Sequence, residues 1–123
     1  MNKDLKRVKI VRYLRPKSNF TTHNLGGATF VFDLDYEQRK VSVFFAITPK
    51  DKNFNKQVGI DCAINSGVAR TVPLDAMRSL ADQEGGFVDA YWTMLNIEKH
   101  FPGNTLTQRE KVLLKKVDYY SWR

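Results

Sequence analysis

Hydrophobic and polar residues alternate with a period of two through much of the first half of the chain and with a helical period through the second. Between Val41 and Thr48, Val41, Val43, Phe45 and Ile47 share one face and Ser42, Phe44, Ala46 and Thr48 the other. β-branched and aromatic residues fill this stretch, so it reads as a largely buried strand. Pro49 brings no N–H to a ladder and is expected to end it. In Ala28 to Asp35 the core face is Phe30, Phe32 and Leu34, with Val31, Asp33 and Asp35 opposite, and Tyr36 to Arg39 form a turn. Residues 5–15, LKRVKIVRYLR, alternate without a cleanly apolar face, as an edge strand does. Leu5, Arg7, Lys9, Val11, Tyr13 and Arg15 point one way, and Lys6, Val8, Ile10, Arg12 and Leu14 the other.

The second half reads as helices. LDAMRSLADQE begins after Pro73 and ends at Gly85, with Leu74, Met77, Leu80 and Ala81 along one side. From Phe87 to about Phe101, the residues Phe87, Ala90, Tyr91, Met94, Ile97 and Phe101 keep the spacing of one helix face, which Val88, Trp92 and Leu95 widen. Thr107-Gln-Arg-Glu110 is a capping-box signature for a last helix. Its expected inner face is Leu106, Leu113, Val117 and Tyr120, broadened by Val112 and Leu114. The expected fold is therefore one α+β domain over residues 1–123: an antiparallel sheet from the N-terminal half against three to four mostly C-terminal helices. Phe30, Phe32, Val43, Phe45, Met94, Leu113 and Val117 are expected in a shared core.

Residues 55–66 admit two readings. Val58, Ile60, Cys62 and Ile64 alternate as in a strand, whereas Val58, Gly59, Cys62, Ala63 and Ser66 share one face of a helix. The helix is favoured, because Asn55 suits an N-cap, Gly67 suits the residue after the last turn, and Gly59 with Ala63 would permit close approach to the sheet. Cys62 falls inward under either reading and is expected to be a buried small hydrophobe. The segment PKDKNFNKQVGIDCA, residues 49–63, resembles a recurrent piece of small bacteriophage-encoded proteins, in which a strand runs through P-K-D-x-F-N-K-x-x-G into a helix. Ile60 stands where that pattern has a basic residue. The resemblance implies a phage origin and a helix here, and it brings no assigned activity.

A hydrophobic fraction of 42% and 27% charged residues describe a folded, soluble chain. One cysteine excludes an internal disulfide framework and fits a reducing compartment. No apolar run reaches a membrane span, and the start of the chain is charged where a signal peptide would be apolar. The expected location is the cytoplasm, that of the host if the chain is phage-encoded.

The net charge of +7 is unevenly placed. Residues 1–17 hold Lys3, Lys6, Arg7, Lys9, Arg12, Arg15 and Lys17 against Asp4 alone. The middle of the chain is slightly acidic, and Arg109, Lys111, Lys115, Lys116 and Arg123 make the last stretch basic again. A charged edge strand guarded from unwanted pairing accounts for part of the first cluster. The functional reading is a polyanion footprint, with Tyr13 available to stack on a base. Lys52 and Lys56 flank the expected N-terminus of the 55–66 helix, where dipole and free N–H groups favour an anion.

Catalysis finds little support. Gly26-Gly27 precede a strand and no Lys-Ser/Thr follows, so they are no phosphate loop. Asp33 and Asp35 would lie about 7 Å apart on a strand, a spacing that could suit a metal, but they read as a solvated face offset by Arg39 and Lys40. His23, His100 and Cys62 have no partners nearby in sequence. The chain is read as non-enzymatic, with no metal and no cofactor. The expected function is nucleic-acid binding, mainly to phosphates and with little sequence specificity, through Lys6, Arg7, Lys9, Arg12, Tyr13, Arg15, Lys17, Lys52, Lys56, Lys111 and Lys115. The alternative is a module that binds an acidic host protein, with Trp92 and Trp122 as candidate contacts for that partner or for a second copy of the chain.

Overall fold

The computed structural model describes residues 7–15, 25–100 and 106–112. The elements run β1 (Arg7–Leu14), β2 (Leu25–Asp35), β3 (Lys40–Asn53), α1 (Lys56–Ser66), β4 (Val68–Pro73), α2 (Leu74–Glu84) and α3 (Phe87–His100), followed by a helical stretch at 108–112. The strands form one antiparallel sheet in the order β1-β2-β3-β4. The α+β architecture expected from the periodicities is the one observed.

Pairing sets which residues share a face. Phe30 lies opposite Phe45, Phe32 opposite Val43 and Leu34 opposite Val41, while Val68 and Val72 of β4 continue the rows from Phe45 and Val41. All are at most 4% exposed and join Leu74 and Met77 of α2 with Ala90, Tyr91 and Leu95 of α3. Phe30 stacks on Phe45 with ring centroids 5.2 Å apart, and Tyr91 and Trp92 meet both rings edge-on or tilted. Burying such rings is the largest contribution to the core, at about 1.5–3 kcal/mol per side chain. Met94 is partly buried against this cluster. Leu113 and Val117 lie outside the described residues.

The second face is covered by α1, as the small residues require. Asn55 caps it by accepting from the Val58 amide at 3.0 Å. Gly59 and Ala63 are the buried pair, and a Cβ on Gly59 would collide with the Thr29 hydroxyl. Of the two readings of 55–66, the helix is correct. Cys62, however, is exposed rather than buried. The contact surface of α1 is so narrow, essentially Gly59 and Ala63, that Cys62 already lies off its edge. Val58 and Ile64 are likewise outside it, at 56% and 45% exposed.

Two further expectations need correction. β3 does not end at Pro49 but runs on to Asn53. The register jumps from Gly27↔Thr48 to Leu25↔Asn53, leaving Pro49 in a bulge where no N–H is required of it. VARTVP, to which the sequence pattern assigns no element, is β4. Val112 is 45% exposed and does not broaden an inner face, although Leu106 is buried.

Candidate nucleic-acid interface

Register explains how the basic strand meets α1. Tyr13 pairs with Thr29, and Gly59 sits on Thr29, so the N-terminal end of α1 is brought to the Tyr13 end of β1. Phe54, immediately before the N-cap, is buried at 4% exposure and lies edge-on to Tyr13 with centroids 5.8 Å apart. Its ring fits only because residue 27 is glycine. A Cβ there would come within 2.6 Å of the ring, and its φ of 155° disfavours any side chain.

Two cations rest on these rings. The Arg15 guanidinium carbon is 4.4 Å from the Phe54 centroid, and its Nε donates to the Gly26 carbonyl at 2.9 Å. The Lys56 ammonium is 5.1 Å from the Tyr13 centroid. Such contacts are worth about 0.5–1 kcal/mol at exposed sites, enough to bias the conformation of a flexible cation without neutralising it. The first turn of α1 has no acidic side chain, so the positive end of its dipole adds to this charge. Arg15, Lys56, Tyr13 and Phe54 thus form a cationic corner between β1 and α1. Lys52 is exposed in the bulged part of β3, two residues before Phe54.

The other predicted residues are placed differently. Arg7 shares the Tyr13 face, as alternation requires, but its Nη2 donates to Asp33 at 2.8 Å and its Nη1 is 3.5 Å from Asp35. Asp35 also accepts from the Glu37 and Gln38 amides at 3.1 Å, which fixes the β2–β3 turn. The two aspartates are therefore largely buried rather than solvated as expected, and they are offset by Arg7, not by Arg39 and Lys40. Arg39 instead pairs with Asp75 of α2 at 2.6 Å. Lys9 is exposed opposite Asp33. Arg12 is exposed on the face of the sheet that packs against α2 and α3, opposite to Tyr13, with Nη1 donating to the Val11 carbonyl at 3.0 Å.

Lys111 is exposed in the 108–112 stretch. Its neighbour Glu110 is bound to Arg70 on β4, three strand spacings or about 14 Å across the sheet from β1. The described parts of the basic strand and the basic last helix therefore attach to opposite edges. Trp92 is half-buried, and its ring packs edge-on against Phe30 and Phe45. Lys6, Lys17, Lys115 and Trp122 lie outside the described residues.

No family model, curated protein or solved structure matches this chain. Among the described residues no helix is long and apolar enough to cross a membrane, and no three His, Cys, Asp or Glu side chains gather as a metal site. Sequence reasoning missed Phe54 and Gly27 as the frame of the corner. The available signal was an apolar residue directly before a helix cap, where a hydrophobic staple to the first turn is usual. Here the fourth helical residue is Gly59, which offers no side chain, so the ring turns to Tyr13 and Gly27 instead.

Proposed function

We propose that this chain binds nucleic acid chiefly through phosphate contacts, at the corner between β1 and α1. The observation that carries this reading is the convergence of Arg15 and Lys56 on the rings of Phe54 and Tyr13, beside a helix start without acidic residues. Lys9 and Arg12 extend the positive charge along the strand, one on each side, and Lys52 extends it toward β3. Ring-supported cations are partly pre-oriented, so less side-chain freedom is lost when phosphate arrives. The contacts are to the backbone of the polymer, and sequence specificity is correspondingly low.

Arg7 is a minor contributor in this reading, because Asp33 and Asp35 already hold it. With Lys9, Arg12, Arg15 and Lys56 engaged, the logarithm of duplex affinity should fall against the logarithm of salt concentration with a slope of about −3 to −4. Fluorescence-anisotropy titrations of labelled oligonucleotides at several salt concentrations test this. Absence of binding at low salt would remove the reading and direct the search to an acidic protein partner.

A further inference from the structure

A cleft of about 260 Å³ opens where the end of β1 passes the start of α3, lined by Arg12, Leu14, Gly86, Phe87, Val88 and Asp89, with Tyr13 shared with the cationic corner. We propose that this cleft receives one unpaired base of a single-stranded polynucleotide. The proposal rests on the nucleic-acid reading above and specifies which form of nucleic acid the protein prefers.

Size and chemistry both enter. Pockets that enclose whole drug-sized ligands span about 300–1,000 Å³, so this smaller cleft suits a single flat ring system rather than an entire nucleotide. Leu14, Phe87 and Val88 supply apolar wall, while Arg12 and Asp89 bring charges of both signs. A lone anion would meet Asp89, which stands in the first turn of α3, and a lone cation would meet Arg12. A nucleobase offers apolar faces together with donors and acceptors around its edge, so it suits both groups. Residues along an antiparallel strand turn their N–H and C=O alternately toward and away from the neighbouring strand. At least one of Arg12, Tyr13 and Leu14 therefore presents both groups on the side away from β2.

Continuity with the corner supplies the path. Arg12 and Tyr13 are adjacent but lie on opposite sides of β1, so a chain whose phosphates follow Tyr13, Arg15 and Lys56 passes the cleft as it rounds the strand. Bases in a duplex are stacked and paired, and they cannot enter without being flipped out at a cost of a few kcal/mol.

Gly86 provides the test. A Cβ there meets nothing within 4 Å, so the side chain of Gly86→Leu starts in open space and adds bulk at the cleft. The wild-type protein should bind a single-stranded oligonucleotide about tenfold more tightly than the duplex of the same sequence, and Gly86→Leu should abolish that preference while melting cooperatively. In a second measurement, free nucleosides, which carry no phosphate, should shift the Gly85, Gly86 and Phe87 amide resonances at millimolar concentration. Equal affinity for both forms, unaltered by Gly86→Leu, would overturn the base cleft and leave the phosphate-binding corner standing. Nucleosides that leave these amides unmoved would also overturn it. If no polynucleotide binds at all, the reading on which the cleft rests fails first.

Discussion

Arg70 grips the carboxylate of Glu110 with two hydrogen bonds of 2.6 Å, one from Nε and one from Nη2. Glu110 is fully buried, Arg70 is mostly buried, and the Tyr91 hydroxyl lies 3.3 Å from the same carboxylate. Glu110 also accepts from the Thr107 amide, while its own amide donates to the Thr107 hydroxyl, completing the capping box. The last described helical stretch is thereby tied at once to the edge strand β4 and to α3. An inward-pointing charged residue also guards β4 against pairing with another chain.

Removing one partner should therefore cost more than an exposed pair would. Glu110→Ala leaves Arg70 without its main counter-charge and should destabilise by about 3–5 kcal/mol. Chemical denaturation of this variant beside Arg70→Ala and the double variant would show strong non-additivity. Near-zero loss from Glu110→Ala would mean that the pair is not formed.

The same site predicts a pH dependence. Burial pushes the Glu110 carboxyl upward, but the Arg70 hydrogen bonds, the Thr107 amide, the Arg70 charge and the Tyr91 hydroxyl outweigh it and hold the group below the usual carboxylate range. A folded-state value below the unfolded one gives stability that is present above the unfolded value of about 4.3 and is lost as pH falls through the folded value. The wild-type stability advantage over Glu110→Gln should be constant near neutrality and shrink on acidification below about pH 4.3. Denaturation curves for both proteins at a series of pH values check this.

Phe45 is fully buried and stacks on Phe30, whereas its neighbour Phe44, on the opposite face, is only half-buried. Phe45→Ala should cost about 3–5 kcal/mol, and Phe44→Ala distinctly less. Thermal unfolding of the two variants would reveal any error in the assignment of the faces.

Close approach of α1 to the sheet gives a paired prediction. Gly59→Ala brings a methyl group onto the Thr29 hydroxyl, a buried group with no hydrogen-bond partner among the described residues, and should destabilise by about 1–3 kcal/mol. Thr29→Ala in the same chain removes that hydroxyl, leaving a nearest contact of 3.1 Å, and should recover part of the loss. Strict additivity of the two substitutions would contradict the contact.

Much of this fold was legible because its signals are local. Alternation in β2 and β3 is carried by Phe30, Phe32, Val43 and Phe45, and Asn55 and the Thr107–Glu110 box mark helix starts by side chains that bond within four residues. What the sequence hid depends on pairing. β4 was missed because Arg70 interrupts its apolar face, and that position makes sense only beside Glu110, forty residues later. Pro49 was read as a stop because the bulge opposite Gly27 cannot be seen from β3 alone. Cys62 was misplaced because periodicity gives the direction of a helical face but not its width. In the candidate site, charge and strand direction were legible, but the capture of Arg7 by Asp33 and Asp35 and the framing of Arg15 by Phe54 were not. Both follow from β-strand register and from where α1 lands.

In the proposed nucleic-acid complex, Lys56 and its ring-supported neighbours, rather than Arg7, carry the contact with phosphate. The most direct measurement is the slope of log affinity against log salt for wild type, Lys56→Gln and Arg7→Gln on one single-stranded oligonucleotide. Lys56→Gln should weaken binding and make the slope shallower by about 0.7, the value for one lost single-strand phosphate contact. Arg7→Gln should leave the slope unchanged, since Asp33 and Asp35 already neutralise that side chain. A slope that becomes shallower in Arg7→Gln and stays the same in Lys56→Gln would contradict the account.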